Sequence, residues 1–302
     1  MTPFPVLVHS YPTTPTKTLP LYEHPSPSPS PPNALIFLGG LGDGPHTVPY
    51  PLTLSHSLPP TLGFSLFQAR LTSSFSAFGY SSLSQDCAEI SSLVRYLRSE
   101  LKKQTIVLMG HSTGCQDCMF YCTKLGELKP EEKVDGIVLQ GPVSDREALV
   151  MSCCPAQLEN SIAVAKKMAE EGKGEHVIDL NDMPDGWKGS PVTAYRWLSL
   201  ATKGGDDDFF SSDFSDEELK TIWGELETPV LILPSEKDEW VPFKPAQVQS
   251  TVQKWASFCK PGVVSEFSGL IPGANHRVDN TEENPEGEKW LVERVGKFLG
   301  SL

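Results

Sequence analysis

Among the residues able to do chemistry, Ser112 comes first. Gly110-His111-Ser112-Thr113-Gly114 is a G-x-S-x-G pentapeptide set directly after the apolar run Ile106-Val107-Leu108-Met109. A helical pattern follows, with Cys115, Met119, Cys122 and Leu125 among its apolar positions. Strand, tight turn and helix is the context in which this motif forms a nucleophile elbow, with the serine hydroxyl exposed at the tip of a strained turn. Gly110 and Gly114 are required because the turn brings neighbouring backbone too close for side chains. A serine hydroxyl is a poor nucleophile until a base takes its proton, so the pattern demands a histidine and an acid elsewhere. Of the seven histidines, His276 is the one that follows the last predicted strand, in Ile271-Pro272-Gly273-Ala274-Asn275-His276. Its imidazole titrates near neutrality, as a general base must. His111 adjoins the serine, and alternation along the strand is expected to point it away. His46 follows a glycine-rich loop, within reach of a substrate. His9 and His24 lie in edge segments, and His56 and His176 carry no adjacent signal. For the acid, Ser235-Glu236-Lys237-Asp238-Glu239-Trp240-Val241-Pro242 offers three carboxylates. The D-x-x-V-P arrangement favours Asp238 over Glu236 and Glu239. That acid would orient the imidazole and stabilise its protonated form.

Attack on a carbonyl also needs hydrogen-bond donors for the developing oxyanion. Thr113 N–H, at the start of the elbow helix, is one candidate. Gly39-Gly40-Leu41-Gly42-Asp43-Gly44 supplies the other, because its glycines let backbone approach a substrate oxygen; Leu41 N–H is the predicted donor. The same glycines lack the spacing and the lysine of a nucleotide-binding loop. Cys115-x-x-Cys118 reads as helix packing, since no second Cys/His pair stands at ligand spacing, and Cys153-Cys154 carries no stronger signal. Asp206-Asp207-Asp208 has no metal-site pattern and reads as a solvated turn. Beside Phe209 and Phe210 it could instead form an acidic, aromatic rim for an ammonium-bearing ligand. No cofactor and no metal is expected.

These groups need a scaffold. Residues 6–8 and 19–22 read as an edge hairpin. Pro25-Ser26-Pro27-Ser28-Pro29-Ser30-Pro31-Pro32 cannot pair as a strand, because proline lacks the donor, and is read as a surface spacer. Continuous apolar runs mark buried strands at residues 34–38, 64–69, 106–109, 136–141 and 229–234, with a last short one at 263–267. A short helix is expected over 51–58. Residues 72–82 form a loop leaving a strand toward the catalytic loops. Leu83, Cys87, Ile90, Val94, Leu97 and Leu101 define one helical face, capped by Ser82 with Gln85, while Glu89, Arg95, Arg98 and Glu100 read as solvated. Residues 144–228 are mainly helical (155–171, 191–201, 216–223) and are expected to form a lid over the site. Its Trp187, Tyr195, Trp197, Phe209, Phe210, Phe214 and Trp223 would line a pocket or glue the lid to the body. A helix over 288–299 closes the chain. Alternating strands and helices argue a mainly parallel sheet covered on both faces, in one domain spanning residues 1–302.

Length and composition agree. The chain has 302 residues, 39% hydrophobic and 21% charged, which suits a globular protein with a large core. No apolar run approaches the roughly 20 residues that cross a bilayer. The N-terminus has no basic and apolar leader pattern, and no N-x-S/T sequon occurs. An odd number of cysteines in a long chain points to reduced thiols, hence a cytoplasmic protein. A net charge of −13 argues against nucleic acid and anionic membrane as partners. The pattern leaves the oligomeric state open.

Five stretches carry a family resemblance: F-L-G-G-L-G-D-G from Phe37, M-G-H-S-T-G-C-Q-D from Met109, V-L-Q-G-P-V-S-D-R-E-A from Val138, P-S-E-K-D-E-W-V-P from Pro234 and G-A-N-H from Gly273. Together they resemble the fungal siderophore ester hydrolases, over most of the chain and least in the lid and the N-terminal hairpin. The order Ser112, Asp238, His276 is that of α/β-hydrolases. The resemblance implies that fold, this triad, and hydrolysis of ester bonds in fusarinine-type hydroxamate siderophores inside the cell. The partner would then be a small-molecule ester, with any iron arriving inside the substrate. Two other readings keep the fold: a general carboxylesterase or thioesterase, and a non-catalytic ligand receptor, against which the intact Ser/His/Asp set argues.

Overall fold

The computed structural model describes residues 3–26, 30–123 and 128–302. The N-terminal segment forms the antiparallel hairpin β1 (Leu7–Thr14) and β2 (Lys17–Glu23). Then come β3 (Asn33–Leu38), α1 (Tyr50–Ser57), β4 (Phe64–Ala69), α2 (Leu83–Ser99), β5 (Ile106–His111), α3 (Gly114–Thr123) and β6 (Gly136–Gln140). The helices α4 (Asp145–Ser152), α5 (Pro155–Glu170), α6 (Ala194–Ala201) and α7 (Asp216–Gly224) separate β6 from β7 (Val230–Leu233). The chain closes with α8 (Pro245–Phe258) and α9 (Pro285–Leu299). The expected helix position Leu125 and the spacer residues 27–29 lie outside the described residues.

The strands form one sheet in the order β1-β2-β4-β3-β5-β6-β7. It is antiparallel at the β1-β2-β4 edge and parallel from β4 to β7. Because side chains alternate along a strand, the continuous apolar runs feed two cores. Ile36, Leu108, Ile137 and Ile232 face the core shared with α2, α3, α7 and α8. Leu35, Val107, Val138 and Leu231 face the one shared with α1 and α9. Burial on both sides explains why these strands read as unbroken apolar stretches.

The expected strand over 263–267 forms only in pieces. Ser265 N–H reaches Val230 O at 2.8 Å and Gly269 N–H reaches Ile232 O at 3.0 Å. Between them the chain turns, and the Ser268 hydroxyl takes the Ile232 N–H at 3.0 Å. Helices α4 and α8 carry too few apolar positions to announce themselves: Leu149 is the buried residue of the first, Val252 and Trp255 those of the second. On α2, Ser82 caps Gln85 N–H as expected. Glu89, however, is buried and takes the Thr72 N–H at 2.8 Å, so it is not part of a solvated face.

Two further expectations are corrected between β6 and β7. Asp206-Asp207-Asp208 is not a solvated turn, nor an open acidic rim. Asp206 accepts from the Tyr195 hydroxyl, Asp207 is buried against Arg196 and Ser199, and Asp208 takes the Gly204 N–H and the Ser211 hydroxyl. Phe209 and Phe210 are buried in the body core, where Phe210 meets Trp255 and Trp223. Leu149, Leu158, Ala165, Trp197 and Leu200 form a separate apolar cluster.

Candidate active site

β5 ends at His111 and α3 begins at Gly114, so Ser112 and Thr113 are the whole turn. Ser112 has φ of 53°, in the left-handed region that non-glycine residues rarely occupy. Such a conformation costs about 1–3 kcal/mol and persists because its surroundings hold it. Here Ser112 N–H donates to Gln140 O at 3.0 Å, and its carbonyl accepts from Cys115 N–H at 2.8 Å. A Cβ on Gly110 would stand 2.2 Å from Gly114 O, and one on Gly114 2.5 Å from Leu38 O. The elbow therefore closes only with glycine at both positions. Cys115 and Cys118 are buried free thiols on the sheet side of α3, as helix packing predicts.

The loop after β7 and the loop before α9 meet beside this turn. His276 Nδ1 lies 2.7 Å from Asp238 Oδ2, and both side chains are buried. The carboxylate fixes Nδ1 as the protonated nitrogen and leaves Nε2 as the acceptor. The rival acids serve the same loop through its backbone: Glu239 accepts from His276 N–H at 2.9 Å, and Glu236 from Gly273 N–H at 2.6 Å. Among the described residues, Asp238 is the acid on the ring. Gln140, which the sequence did not single out, holds the His276 carbonyl through Nε2 at 3.2 Å.

Ser112, His276, Leu41 and Thr113 all line one cavity of about 480 Å³. Its walls come from Val143, Leu149, Trp187, Leu200 and Trp240. That size suits a small-molecule ligand. Among the described residues the Ser112 hydroxyl makes no hydrogen bond, and neither Leu41 N–H nor Thr113 N–H has an acceptor. Gly40 is pressed against the serine, since a Cβ there would stand 2.6 Å from Ser112 Cβ.

Two histidines sit differently from expectation. His111 does not point away from the site: its ring centroid is 4.9 Å from that of His276, and it lines the same cavity. Its Nδ1 meets Gln140 Oε1 at 2.6 Å. Burial, with His276 beside it, pushes its pKa far down, so it stays neutral. Its ring lies on the same face of β5 as Val107 and Met109, against Tyr50, where alternation along the strand puts it. His46 is not at the cavity but among Phe4, Tyr22 and His24. Asp145 was also given no role by the sequence. It lines the cavity and accepts from Gln116 Nε2 at 2.6 Å and from the Thr113 hydroxyl at 3.3 Å. Burial and the nearby Asp207 raise its pKa well above the usual carboxylate range.

The family model described as "Protein of unknown function (DUF1749)" matches residues 1–300. A UPF0613 protein of Schizosaccharomyces pombe is 32% identical over 282 residues, covering 89% of this chain and 87% of its own. Fusarinine C esterase sidJ of Aspergillus fumigatus is 30% identical over 348 aligned positions, covering 99% and 96%. Among solved structures, the siderophore hydrolase EstB of Aspergillus fumigatus superposes with a TM-score of 0.80 at 29% identity, over 99% of this chain and 98% of that one. A carboxyl esterase from Bacillus coagulans, 12% identical with a TM-score of 0.64, shares the fold alone. The family match runs through the elbow and through both loops that meet beside it, and the chain belongs to the DUF1749 family, built on the α/β-hydrolase fold.

Proposed function

We infer that this protein is a serine esterase that hydrolyses ester bonds of hydroxamate siderophores of the fusarinine type. The carrying observation is the Asp238–His276 pair at 2.7 Å, opening onto the elbow serine in one cavity. The relatives named for fusarinine C and siderophore hydrolysis support the substrate class. Ser112 Oγ attacks the ester carbonyl while His276 Nε2 takes its proton. Asp238 stabilises the imidazolium. Leu41 and Thr113 N–H groups donate to the oxyanion. The imidazolium then returns the proton to the leaving alcohol; a water, deprotonated by the same nitrogen, attacks the acyl-serine carbonyl, and the imidazolium protonates Ser112 Oγ as the acid is released. Each cleavage shortens a multidentate chelator. The remaining groups then lose the effective concentration that held iron, which favours its release. Residues 144–228 act as a helical insertion over the site within a single domain of residues 1–302, with Leu149, Trp187 and Leu200 as the cavity wall it supplies. Seven free cysteines support action in the reducing cytoplasm.

The test is to incubate the protein with ferric fusarinines and with simple carboxylic and thioesters, and to read products by mass spectrometry. Ser112→Ala is expected to lower siderophore hydrolysis roughly 10⁴-fold or more while the fold is kept. Intact fusarinines alongside rapid cleavage of simple esters would overturn the substrate assignment. Undiminished turnover in Ser112→Ala would overturn the nucleophile.

A further inference from the structure

We propose that Asp43 is a positioning residue: its carboxylate aims the oxyanion loop and, through Arg277, ties that loop to the one carrying His276. The inference rests on the esterase reading above. The loop after β3 closes a tight turn, with Asp43 N–H on Gly40 O at 3.0 Å. The Asp43 side chain folds back under it, so close that a Cβ on Gly39 would stand 2.8 Å from Asp43 Cβ. Asp43 Oδ2 accepts from Gly40 N–H at 3.2 Å. Asp43 Oδ1 accepts from the Thr47 hydroxyl at 2.8 Å and from Arg277 Nη1 at 3.1 Å. Arg277 also donates to the Thr47 carbonyl, and it follows His276 in the chain.

The consequence is chemical. With Gly40 N–H bound to Asp43, the next donor along the loop is Leu41 N–H, which has no acceptor among the described residues and borders the cavity. The peptide that carries this donor begins at the Gly40 carbonyl, so a hydrogen bond on the Gly40 N–H restrains its tilt. Gly40 packs directly on Ser112, and a small rotation of the loop would move the donor relative to the attacking oxygen. An oxyanion exists only in the transition state and the tetrahedral intermediate. A residue acting through its donor should therefore change kcat and leave KM nearly unchanged. Asp43 is 9% exposed, so the charge pair with Arg277 is partly shielded from water and can hold the two loops in register.

The experiment uses Asp43→Ala, Asp43→Asn and Arg277→Met in the full chain. It measures kcat and KM on p-nitrophenyl butyrate, Ki for butylboronic acid, and Tm. The boronic acid reports the oxyanion site directly, because Ser112 Oγ adds to boron as its proton passes to His276, and the resulting tetrahedral anion places an oxygen where the oxyanion would lie. Asp43→Ala is expected to lower kcat about 10²–10³-fold, the size of losing one oxyanion donor, and to raise the Ki by a similar factor. KM should stay within about threefold. Asp43→Asn keeps an oxygen for Gly40 N–H and should recover kcat to within about tenfold of wild type. Arg277→Met should fall between, since Gly40 keeps its acceptor. A lowered Tm with kcat and Ki unchanged in Asp43→Ala overturns the proposal, as does a rise in KM with kcat held. If Asp43→Ala does not fold, the other two variants decide: unchanged kcat and Ki in both overturn it. Wild-type hydrolysis of the same ester is established first, and its absence would count against the esterase reading rather than against Asp43 alone.

Discussion

Three carboxylates stand within four residues of one another after β7, and one of them faces the imidazole. Glu236 and Glu239 use a single oxygen each to accept a backbone N–H. A glutamine can do the same through its amide oxygen. In the proposed mechanism Asp238 must do more, because there it fixes the tautomer of His276 and balances the charge that forms on it. Asp238→Asn should therefore lower kcat about 10³–10⁴-fold, somewhat less than loss of the serine, and Glu236→Gln or Glu239→Gln less than about tenfold. Saturating-substrate rates on one ester check this. A severe Glu239→Gln beside a mild Asp238→Asn would transfer the acid to the neighbour.

At the scale of elements, the site is a meeting of strand ends. β3, β5, β6 and β7 are parallel neighbours, so the loops that leave them converge at one edge of the sheet. Between β6 and β7, Leu149, Trp187 and Leu200 add apolar lining to the cavity. Of the residues between β6 and β7 that line the cavity, Trp187 has the largest side chain. It lines the cavity and packs edge-on against Trp197 at 4.9 Å and Phe78 at 6.0 Å. Removing the indole widens the wall without touching the triad. Trp187→Ala should raise KM for a bulky siderophore ester about tenfold, equivalent to roughly 1.4 kcal/mol of binding. Its effect on p-nitrophenyl acetate, too small to reach the wall, should be slight. Equal effects on both esters would show that the residue only supports the fold.

At the scale of the molecule, a buried charged cluster joins elements far apart in sequence. Asp86 on α2, Asp117 on α3, Asp145 on α4 and Asp207 lie within electrostatic reach of Arg196 on α6. Arg196 pairs with Asp207, and Asp86 is held by the Ser81 hydroxyl. Among the described residues Asp117 Oδ1 has no hydrogen-bond partner, and burial pushes the pKa of this carboxyl well above the usual range. A carboxyl raised in the folded state binds more protons there than in the unfolded chain, whose carboxyls titrate near 3.9. Its contribution to stability is then lost as pH rises from about 4 toward the folded value. Asp117→Asn, neutral at every pH, should match the wild-type Tm at pH 4 and exceed it by a few degrees at pH 8. Buried His24, pushed down to about 4, acts with the opposite sign. The quantity to follow is thus the difference in Tm between variant and wild type at each pH. A difference that stays flat from pH 4 to pH 8 would mean that Asp117 is ionised throughout.

What could be read from the sequence was what local physics controls. The elbow at Gly110–Gly114 is a steric requirement of a few neighbouring residues. The buried strands announce themselves by unbroken apolar runs, α2 by its periodic face, and the chain order Ser112, Asp238, His276 by the strand each follows. The resemblance to siderophore ester hydrolases rested on these same loops. What only the tertiary structure decided is which distant groups a polar or aromatic side chain meets. Asp207 looks like a solvent residue until Arg196 stands beside it. Phe210 looks like pocket lining until Trp255 and Trp223 pack on it. Neither His111 against His276 nor Asp43 against Arg277 has a local signature, because each contact joins segments that only the assembled sheet brings together. Burial and pairing of a charge depend on surfaces contributed from elsewhere in the chain, and no window of neighbouring residues contains them.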